Sequence, residues 1–176
     1  MSPSSVGTRA ARFSLALIAM AGFVAGGGAG CSRNSADADG PPSACELTLL
    51  GCDADGNGVR DDVQRQVEQK YPLSQRSREA LFQDARALQH YLSDDATDSG
   101  PRTAQQAVDA VDCMDHVLGL DEAGAAIKWM RRIMFNRADR LEGYIQRSGK
   151  GLGGAVFAQH NELKEACTFD PDGFSK

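Results

Sequence analysis

The stretch ALFQDARALQHYL, residues 80–92, decides the fold class of this 176-residue chain. Its apolar residues recur every three or four positions, the spacing that places side chains on one face of an α-helix, and they are Leu81, Ala85, Leu88 and Leu92. Ser74 and Ser77 are both suitable N-caps ahead of this face. The stretch therefore predicts an amphipathic helix that begins at one of these serines and runs to about Ser93.

The same helical spacing continues on both sides of this stretch. It predicts further helices from near Asp61 to Pro72, from Thr103 to about Leu118, from Asp121 to about Phe135, from Asn136 to Ser148, and a short one from Val156 to Cys167. Asn136 followed by Asp139 is typical of an N-cap with an acidic third residue. Strand signals are nearly missing. The sequence predicts an all-α fold, a compact bundle of five or six short helices preceded by a cation-binding loop.

That loop is CDADGNGVRDDVQ, residues 52–64. Counting Asp53 as position 1, oxygen-bearing side chains occupy positions 1, 3, 5 and 9, and Gly58 occupies position 6. A hard cation needs about six to eight oxygen ligands, and a glycine allows the sharp turn that directs alternate residues to one centre. The predicted ligands are Asp53, Asp55, Asn57, Val59 through its backbone carbonyl, Asp61 and Gln64.

The loop resembles the EF-hand loop and, more closely, the thrombospondin type 3 and dockerin-like repeats, which lack a full entering helix. This resemblance implies Ca²⁺ as the cofactor. The loop departs from the pattern at position 12, where Gln64 offers one neutral oxygen in place of a carboxylate. We therefore expect the weaker binding of extracellular modules, with a Kd of about 10⁻⁴ to 10⁻³ M. The alternative is an acidic turn that only caps the following helix.

The N-terminus has the pattern of an export signal. Arg9 and Arg12 precede an apolar run of 13 residues, 13–25, and small residues follow it. A 13-residue helix spans roughly 20 Å, which is short of the bilayer core of about 30 Å. The run is therefore interpreted as the apolar region of a signal peptide, residues 1–30, that is absent from the mature protein.

Residues 28–31, GAGC, resemble the bacterial lipoprotein cleavage box in their last three positions. This resemblance implies that Cys31 is lipidated and becomes the new N-terminus. Because Ser32 is not Asp, the proteobacterial sorting rule implies an outer-membrane anchor that faces the periplasm. Residues 31–44 then form a flexible tether, and residues 45–176 form the helical domain. The alternative is a plain secretory signal that leaves Cys31 as a free thiol. As a whole, the chain resembles uncharacterised proteobacterial lipoproteins with a similar loop ahead of a helical domain.

Four cysteines remain after Cys31, and an even number in an exported chain predicts two disulfides. They are Cys45, Cys52, Cys113 and Cys167. Three connectivities are open. We favour Cys45 with Cys52 and Cys113 with Cys167, because the first pair closes a short loop beside the calcium motif.

The charge pattern bears on partners. A net charge of -5 argues against a nucleic-acid binder. Residues 94–122 are strongly acidic, whereas residues 128–150 carry seven bases against two acids. One interpretation is attraction between these segments within the molecule. The other is a surface for an anionic cell-wall polymer, a lipid phosphate or an acidic envelope protein, with candidate residues Lys128, Trp129, Arg131, Arg132, Arg137 and Arg140.

No catalytic motif stands out in the sequence. Asp112, Asp115 and His116 form a local polar cluster that could hold a general base, but it also fits a solvated helix face. We therefore expect a lipid-anchored periplasmic calcium-binding protein that acts as a non-catalytic binding module. The alternatives are a structural envelope lipoprotein with calcium only as a staple, and a cell-wall or lipid hydrolase.

Overall fold

A computed structural model describes residues 43–93, 100–149 and 156–174, and every regular element in these ranges is helical. The elements are α1 (Asp61–Lys70), α2 (Gln75–His90), α3 (Gly100–Leu118), α4 (Leu120–Met134), α5 (Ala138–Ser148) and a short 3-10 helix (Leu163–Ala166). The described part of residues 41–176 belongs to one compact unit. The predicted all-α class is confirmed. The predicted signal peptide, Cys31 and nearly all of the tether lie outside the described residues.

Helix α2 is the centre of the bundle, and it packs against α1, α3 and α4. Leu81, Ala85 and Leu88 are fully buried, so the face predicted from sequence is the face that enters the core. The residues that meet it from the other helices include Val63 and Val67 of α1, Met114 of α3, and Met130 and Met134 of α4. None of the helices within the described ranges is long and apolar enough to cross a membrane.

The start of α2 follows the sequence prediction closely. The Ser74 hydroxyl accepts a hydrogen bond from the backbone N–H of Ser77 at 3.2 Å, which satisfies one free donor of the first turn. Helix α3 begins at Gly100, three residues before the predicted start.

The predicted N-cap of α5 is wrong. The N-cap is Arg137, which makes no side-chain capping hydrogen bond. The Asn136 side-chain oxygen instead accepts from the Arg140 guanidinium at 2.7 Å. A buried guanidinium with several donors attracts the amide oxygen more strongly than a neutral backbone N–H does.

The predicted sixth helix from Val156 to Cys167 is also wrong, because only Leu163–Ala166 is helical and only as a 3-10 turn. The backbone of Ala158 is bound on both sides by Gln105 of α3. Its N–H donates to the Gln105 Oε1 at 2.6 Å, and its carbonyl accepts from the Gln105 Nε2 at 3.3 Å. These bonds use the backbone groups that a helix would need for itself.

Helices α2 and α4 are joined by a partly buried ion pair. Asp84 of α2 has no exposed side-chain surface, and its carboxylate accepts from the Arg131 guanidinium of α4 at 3.2 Å. Burial raises the pKa of Asp84, and the charge and hydrogen bond of Arg131 lower it by less. Arg131 therefore offsets part of the free-energy cost of burying Asp84, the one fully buried carboxylate in the described residues.

Candidate metal centre

The acidic loop lies between the Cys45–Cys52 disulfide and the first turn of α1. The disulfide joins Cα atoms that are 5.1 Å apart, and it confirms the first half of the favoured pairing. The Asp61 N–H donates to the Cys52 carbonyl at 2.7 Å. This bond draws the two ends of the loop together, so residues 53–60 must turn back on themselves.

Three carboxylates converge inside that turn. One oxygen each from Asp53, Asp55 and Asp61 lies within 4.8 Å of the other two. Asp53 and Asp55 are exposed and Asp61 is half-buried. Three negative charges at this separation repel one another, and a divalent cation among them would remove that repulsion. The group could therefore hold a metal ion, as predicted for these three residues.

Backbone N–H groups donate to all three carboxylates, and the Asp55 carboxylate accepts from the Asn57 N–H at 3.2 Å. The Asp53 carboxylate accepts from the Asn57 and Gly58 N–H groups at 3.1 and 2.9 Å. The Asp61 carboxylate accepts from the Ala54 N–H at 2.9 Å. An ionised carboxylate has about four lone-pair positions, so these bonds leave oxygen capacity for a cation.

The glycine at position 6 does what the sequence pattern requires. Gly58 has a φ of 81°, in the left-handed region that side chains disfavour. This conformation lets its N–H reach back to Asp53 while the next residue, Val59, enters the core with 1% of its surface exposed. The loop is thus anchored in the core directly after the turn.

Asn57 and Gln64, two further predicted ligands, lie together and are joined by a hydrogen bond. The Asn57 amide Nδ2 donates to the Gln64 Oε1 at 2.7 Å and to the Asp55 Oδ2 at 2.9 Å. The Asn57 Oδ1 accepts from the Val59 N–H at 2.7 Å. The two amides thus border the carboxylate group, and their oxygens already accept hydrogen bonds.

Arg60 connects the loop to the far end of α4, and sequence reasoning missed this role. Its guanidinium, 2% exposed, donates to the Met134 carbonyl at 3.1 Å and to the Ile133 carbonyl at 2.8 Å, and it pairs with Asp62. Gly51 allows this arrangement, because a Cβ there would lie 2.1 Å from the Arg60 Cδ. The only sequence signal is that Arg60 directly follows Val59, an apolar residue that is buried.

Arg137 and Arg140 of the predicted basic surface bind the chain ahead of the loop. The buried Arg140 guanidinium donates to the Leu49 carbonyl at 3.0 Å and to the Thr48 carbonyl at 3.2 Å. Arg137 donates to the Glu46 carbonyl at 2.8 Å and forms an ion pair with Asp139. Both side chains hold residues 46–49 against α5.

Of the other four residues of the predicted basic surface, two are exposed and two contact other parts of the domain. Arg131 is paired with Asp84, whereas Lys128 and Arg132 are exposed. Trp129 is half-buried, and the Lys70 Nζ lies 5.2 Å from its ring centre. Four of the six candidates, Trp129, Arg131, Arg137 and Arg140, thus make intramolecular contacts, so the six do not form one free basic face.

The second disulfide confirms the rest of the favoured pairing. Cys113 of α3 is bonded to Cys167, with Cα atoms 4.9 Å apart. The buried Gln83 of α2 supports the same segment, since its Nε2 donates to the Ala166 carbonyl at 2.8 Å. The chain after the 3-10 turn is therefore fixed to both central helices.

The polar cluster of Asp112, Asp115 and His116 does not form a hydrogen-bonded site in the described structure. The buried Nε2 of His116 has no hydrogen-bond partner there. Burial, with a smaller contribution from Asp112, raises the pKa of Asp115. The close acid and imidazole pair is instead Asp109 with His160, at 3.0 Å, and it holds the C-terminal segment on α3.

The chemistry available at the loop is the binding of a hard cation by oxygen. Carboxylate and amide oxygens are the ligands that Ca²⁺ and Mg²⁺ prefer, and the loop offers no nitrogen or sulfur ligand of the kind that selects zinc. No family model, curated protein or solved structure matches the chain. The geometry of residues 53–64 is therefore the observation from which a function is proposed.

Proposed function

We propose that this protein is a lipid-anchored, calcium-binding lipoprotein of the bacterial envelope whose helical domain is a non-catalytic binding module. The observation that carries the proposal is the convergence of Asp53, Asp55 and Asp61 within 4.8 Å. Their order along the chain is that of positions 1, 3 and 9 of a calcium loop.

Calcium is favoured over magnesium by the composition of the loop. Ca²⁺ accepts six to eight oxygens in flexible geometry, about 2.3 to 2.6 Å from the ion, whereas Mg²⁺ demands a near-ideal octahedron and keeps several waters. Asp53, Asp55 and Asp61 would hold the ion, with the side-chain oxygens of Asn57 and Gln64 and the Val59 carbonyl completing the set. Bound calcium supplies positive charge that removes the repulsion among the carboxylates.

The contacts of the loop explain how an ion there would stabilise the domain. Residues 52 and 61 close the loop, α1 begins inside it, and Arg60 joins it to the end of α4. An ion that binds only the folded loop shifts the folding equilibrium of the domain toward the folded state. The proposed role is therefore a rigid connection between the tether and the bundle.

The N-terminal sequence and the cysteines support export and anchoring. Residues 1–30 have the order of a signal peptide, and Cys31 follows small residues as in a lipoprotein cleavage box. Two disulfides suit an oxidising compartment such as the periplasm.

Calcium should raise the melting temperature of the mature domain, residues 32–176, exported so that both disulfides form. At a free calcium concentration of about one hundred times the Kd, linkage predicts about 2.7 kcal/mol of stabilisation. For a domain of this size, that is a shift on the order of 10 °C. The measurement is a calorimetric or circular dichroism melt in calcium, in magnesium and in chelator.

The Asp53→Ala, Asp55→Ala variant tests the site, and Asp121→Ala, which removes an exposed acid from α4, is the matched control. The double variant should lose the calcium shift, and the control should keep it. A native domain whose melting temperature does not change up to about 10 mM calcium, roughly ten times the weakest expected Kd, would contradict the proposal and leave the loop as an acidic turn.

Replacing Cys31 by Ser should abolish lipidation and release the chain from lipid anchoring. The native chain should incorporate an alkyne-labelled fatty acid and enter the detergent phase on Triton X-114 partition, and Cys31→Ser should do neither. Ser32→Asp is the control, since it should keep the label and move the protein to the inner membrane. An unlabelled native chain in the soluble fraction would favour the plain secretory signal.

A structural role with calcium only as a staple is the second candidate. It is favoured by the bonds from Arg60, Arg137 and Arg140, which use the loop region to hold helix ends together. A staple needs no ligand beyond the ion. Specific binding of a small molecule by the helical domain would favour the binding module over the structural role.

A further inference from the structure

A cavity of about 890 Å³ lies beside the acidic loop. It is lined by residues 50–54 and 56–58, by residues of α2 and α3, and by Cys45, Ser93 and Thr168. Its volume lies within the range of about 300 to 1,000 Å³ that is typical of sites for small molecules.

Most of the accessible surface of the cavity wall is apolar, although ten of its 18 lining residues carry polar side chains. Leu50, Ala54 and Ala87 contribute apolar side chains, and at Gly56 an added Cβ would meet no atom within 4 Å. Sites of this composition bind the body of a ligand by burial and select its head group by the polar residues.

Arg86 is the cation of this cavity, and only part of it is used. Its Nε donates to the Asn57 carbonyl at 2.9 Å. Across the described ranges, the ion pairs do not include Arg86, and its two terminal nitrogens have no hydrogen-bond partner. An arginine held at Nε, with its terminal N–H groups free, is suited to bind a carboxylate or another planar or tetrahedral anion.

Gln89 provides a second polar group whose partner is absent. Its Nε2 donates to the Leu50 carbonyl at 2.6 Å, but its buried Oε1 accepts no hydrogen bond within the described ranges. Buried acceptors in folded proteins are nearly always satisfied. This oxygen has almost no accessible surface, so a hydroxyl or N–H of a bound ligand would reach it only after the Gln89 side chain moves.

The cavity and the metal centre share residues. Asp53 and Asn57 line the cavity, Asp53 belongs to the carboxylate group, and Asn57 also holds Arg86 through its carbonyl. A cation among the carboxylates would cancel the negative charge of Asp53 at the cavity wall. Positive potential from Arg86 would then act on the cavity without opposition from Asp53, and Asp109, the other acid in the lining, is paired with His160 at 3.0 Å.

We infer that this cavity binds a small organic acid with an apolar body, that the Arg86 guanidinium holds its anionic group, and that calcium increases its affinity. This inference deepens the proposed function, on which its calcium dependence rests, by naming the ligand class of the binding module.

Two fluorescent probes with nearly the same aromatic skeleton test the charge requirement. 8-Anilinonaphthalene-1-sulfonate is anionic, and N-phenyl-1-naphthylamine lacks the sulfonate. The mature domain in calcium should bind the sulfonate with a stoichiometry of one and bind the neutral probe more weakly. Arg86→Gln should weaken sulfonate binding by about tenfold to a hundredfold, the range of a hydrogen bond to a charged group. The exposed Arg132→Gln control should change it by no more than about twofold.

A second variant is needed because Arg86 also contacts Asn57. Arg86→Gln alone would not distinguish loss of the anion contact from loosening of the loop. Gln106→Trp lies on α3, away from the metal ligands, and should fill the cavity. It should reduce binding of both probes at least as much as Arg86→Gln does and leave the calcium melting shift unchanged. Chelation of calcium should weaken sulfonate binding by about fivefold or more, the lower end of typical coupling between sites.

Equal affinity of the native domain for the two probes, or unchanged sulfonate binding by Arg86→Gln, would overturn the inference. So would non-saturable binding that Gln106→Trp does not reduce. The calcium melting shift, measured on the same samples, distinguishes these failures from failure of the metal centre. A calcium shift without Arg86-dependent binding leaves the staple, whereas Arg86-dependent binding that calcium does not change overturns the calcium coupling.

Discussion

The Cys113→Ala, Cys167→Ala variant should unfold with a free energy about 4 kcal/mol below that of the native domain. The two cysteines are 54 residues apart in sequence, and the chain-entropy relation gives this figure for a loop of that length. Cys113 is fully buried, so its replacement also removes packing around α3. Urea denaturation of both domains under non-reducing conditions measures the difference.

The Cys45→Ala, Cys52→Ala variant is the matched control. Its sequence separation is 7, and the same relation gives about 2 kcal/mol. The Cys113–Cys167 bridge should therefore be the more important of the two. An equal or larger loss in the Cys45–Cys52 variant would show that loop closure does not determine their ranking. The contacts of residues 46–52 would then contribute more to stability than loop closure does.

Arg60→Met should lower the free energy of unfolding by about 3 to 5 kcal/mol, the range observed when one partner of a buried charged network is removed. Methionine keeps much of the apolar length of the side chain and removes every donor. The carbonyls of Ile133 and Met134 at the end of α4 then lose their guanidinium partner, and Asp62 loses its ion pair. Free helix-terminal carbonyls that are shielded from water are costly.

Arg132→Met is the control, because Arg132 lies in the last turn of α4, near the carbonyls that Arg60 binds, and is exposed. It should change the free energy of unfolding by no more than about 0.5 kcal/mol. Equal effects of the two substitutions would mean that general charge near the helix end is responsible. The specific bonds of Arg60 would then not be needed for stability. The measurement is urea denaturation of both variants at one pH and one calcium concentration.

The elements that sequence predicted best are those whose signals are local. The periodic apolar positions of residues 80–92 and the hydroxyl of Ser74 act within one or two helical turns, so they were sufficient to place α2. Asp53, Asp55 and Asp61 belong to the same class, because a glycine turn brings alternate residues together without help from elsewhere in the chain. Position and spacing therefore predicted the acidic group.

The errors arose where other side chains, most of them distant in sequence, bind the groups that a local pattern assigns to helix ends or to a surface. Asn136 has the residue type of an N-cap, but its oxygen accepts from Arg140, four residues later. Residues 156–167 have helical spacing, but Gln105 and the bond to Cys113 hold their backbone in another path. The basic residues of α4 and α5 were predicted as a surface, whereas Arg131 is used for Asp84 of α2, and Arg137 and Arg140 for residues 46–49.

The sequence by itself determined the helical class, the oxygen-rich loop, the two-disulfide framework and the charge of the chain. These follow from residue type and short spacing, for which the physical interactions act over a few residues. Only the tertiary structure decided the destination of the buried arginines and the existence of the cavity lined by residues 50–54 and 56–58 and by residues of α2 and α3. Arg60 contacts carbonyls 73 and 74 residues away, and no local pattern encodes a partner at that distance. Packing of the whole bundle selects such contacts, because a buried charge must find donors or acceptors wherever the fold brings them.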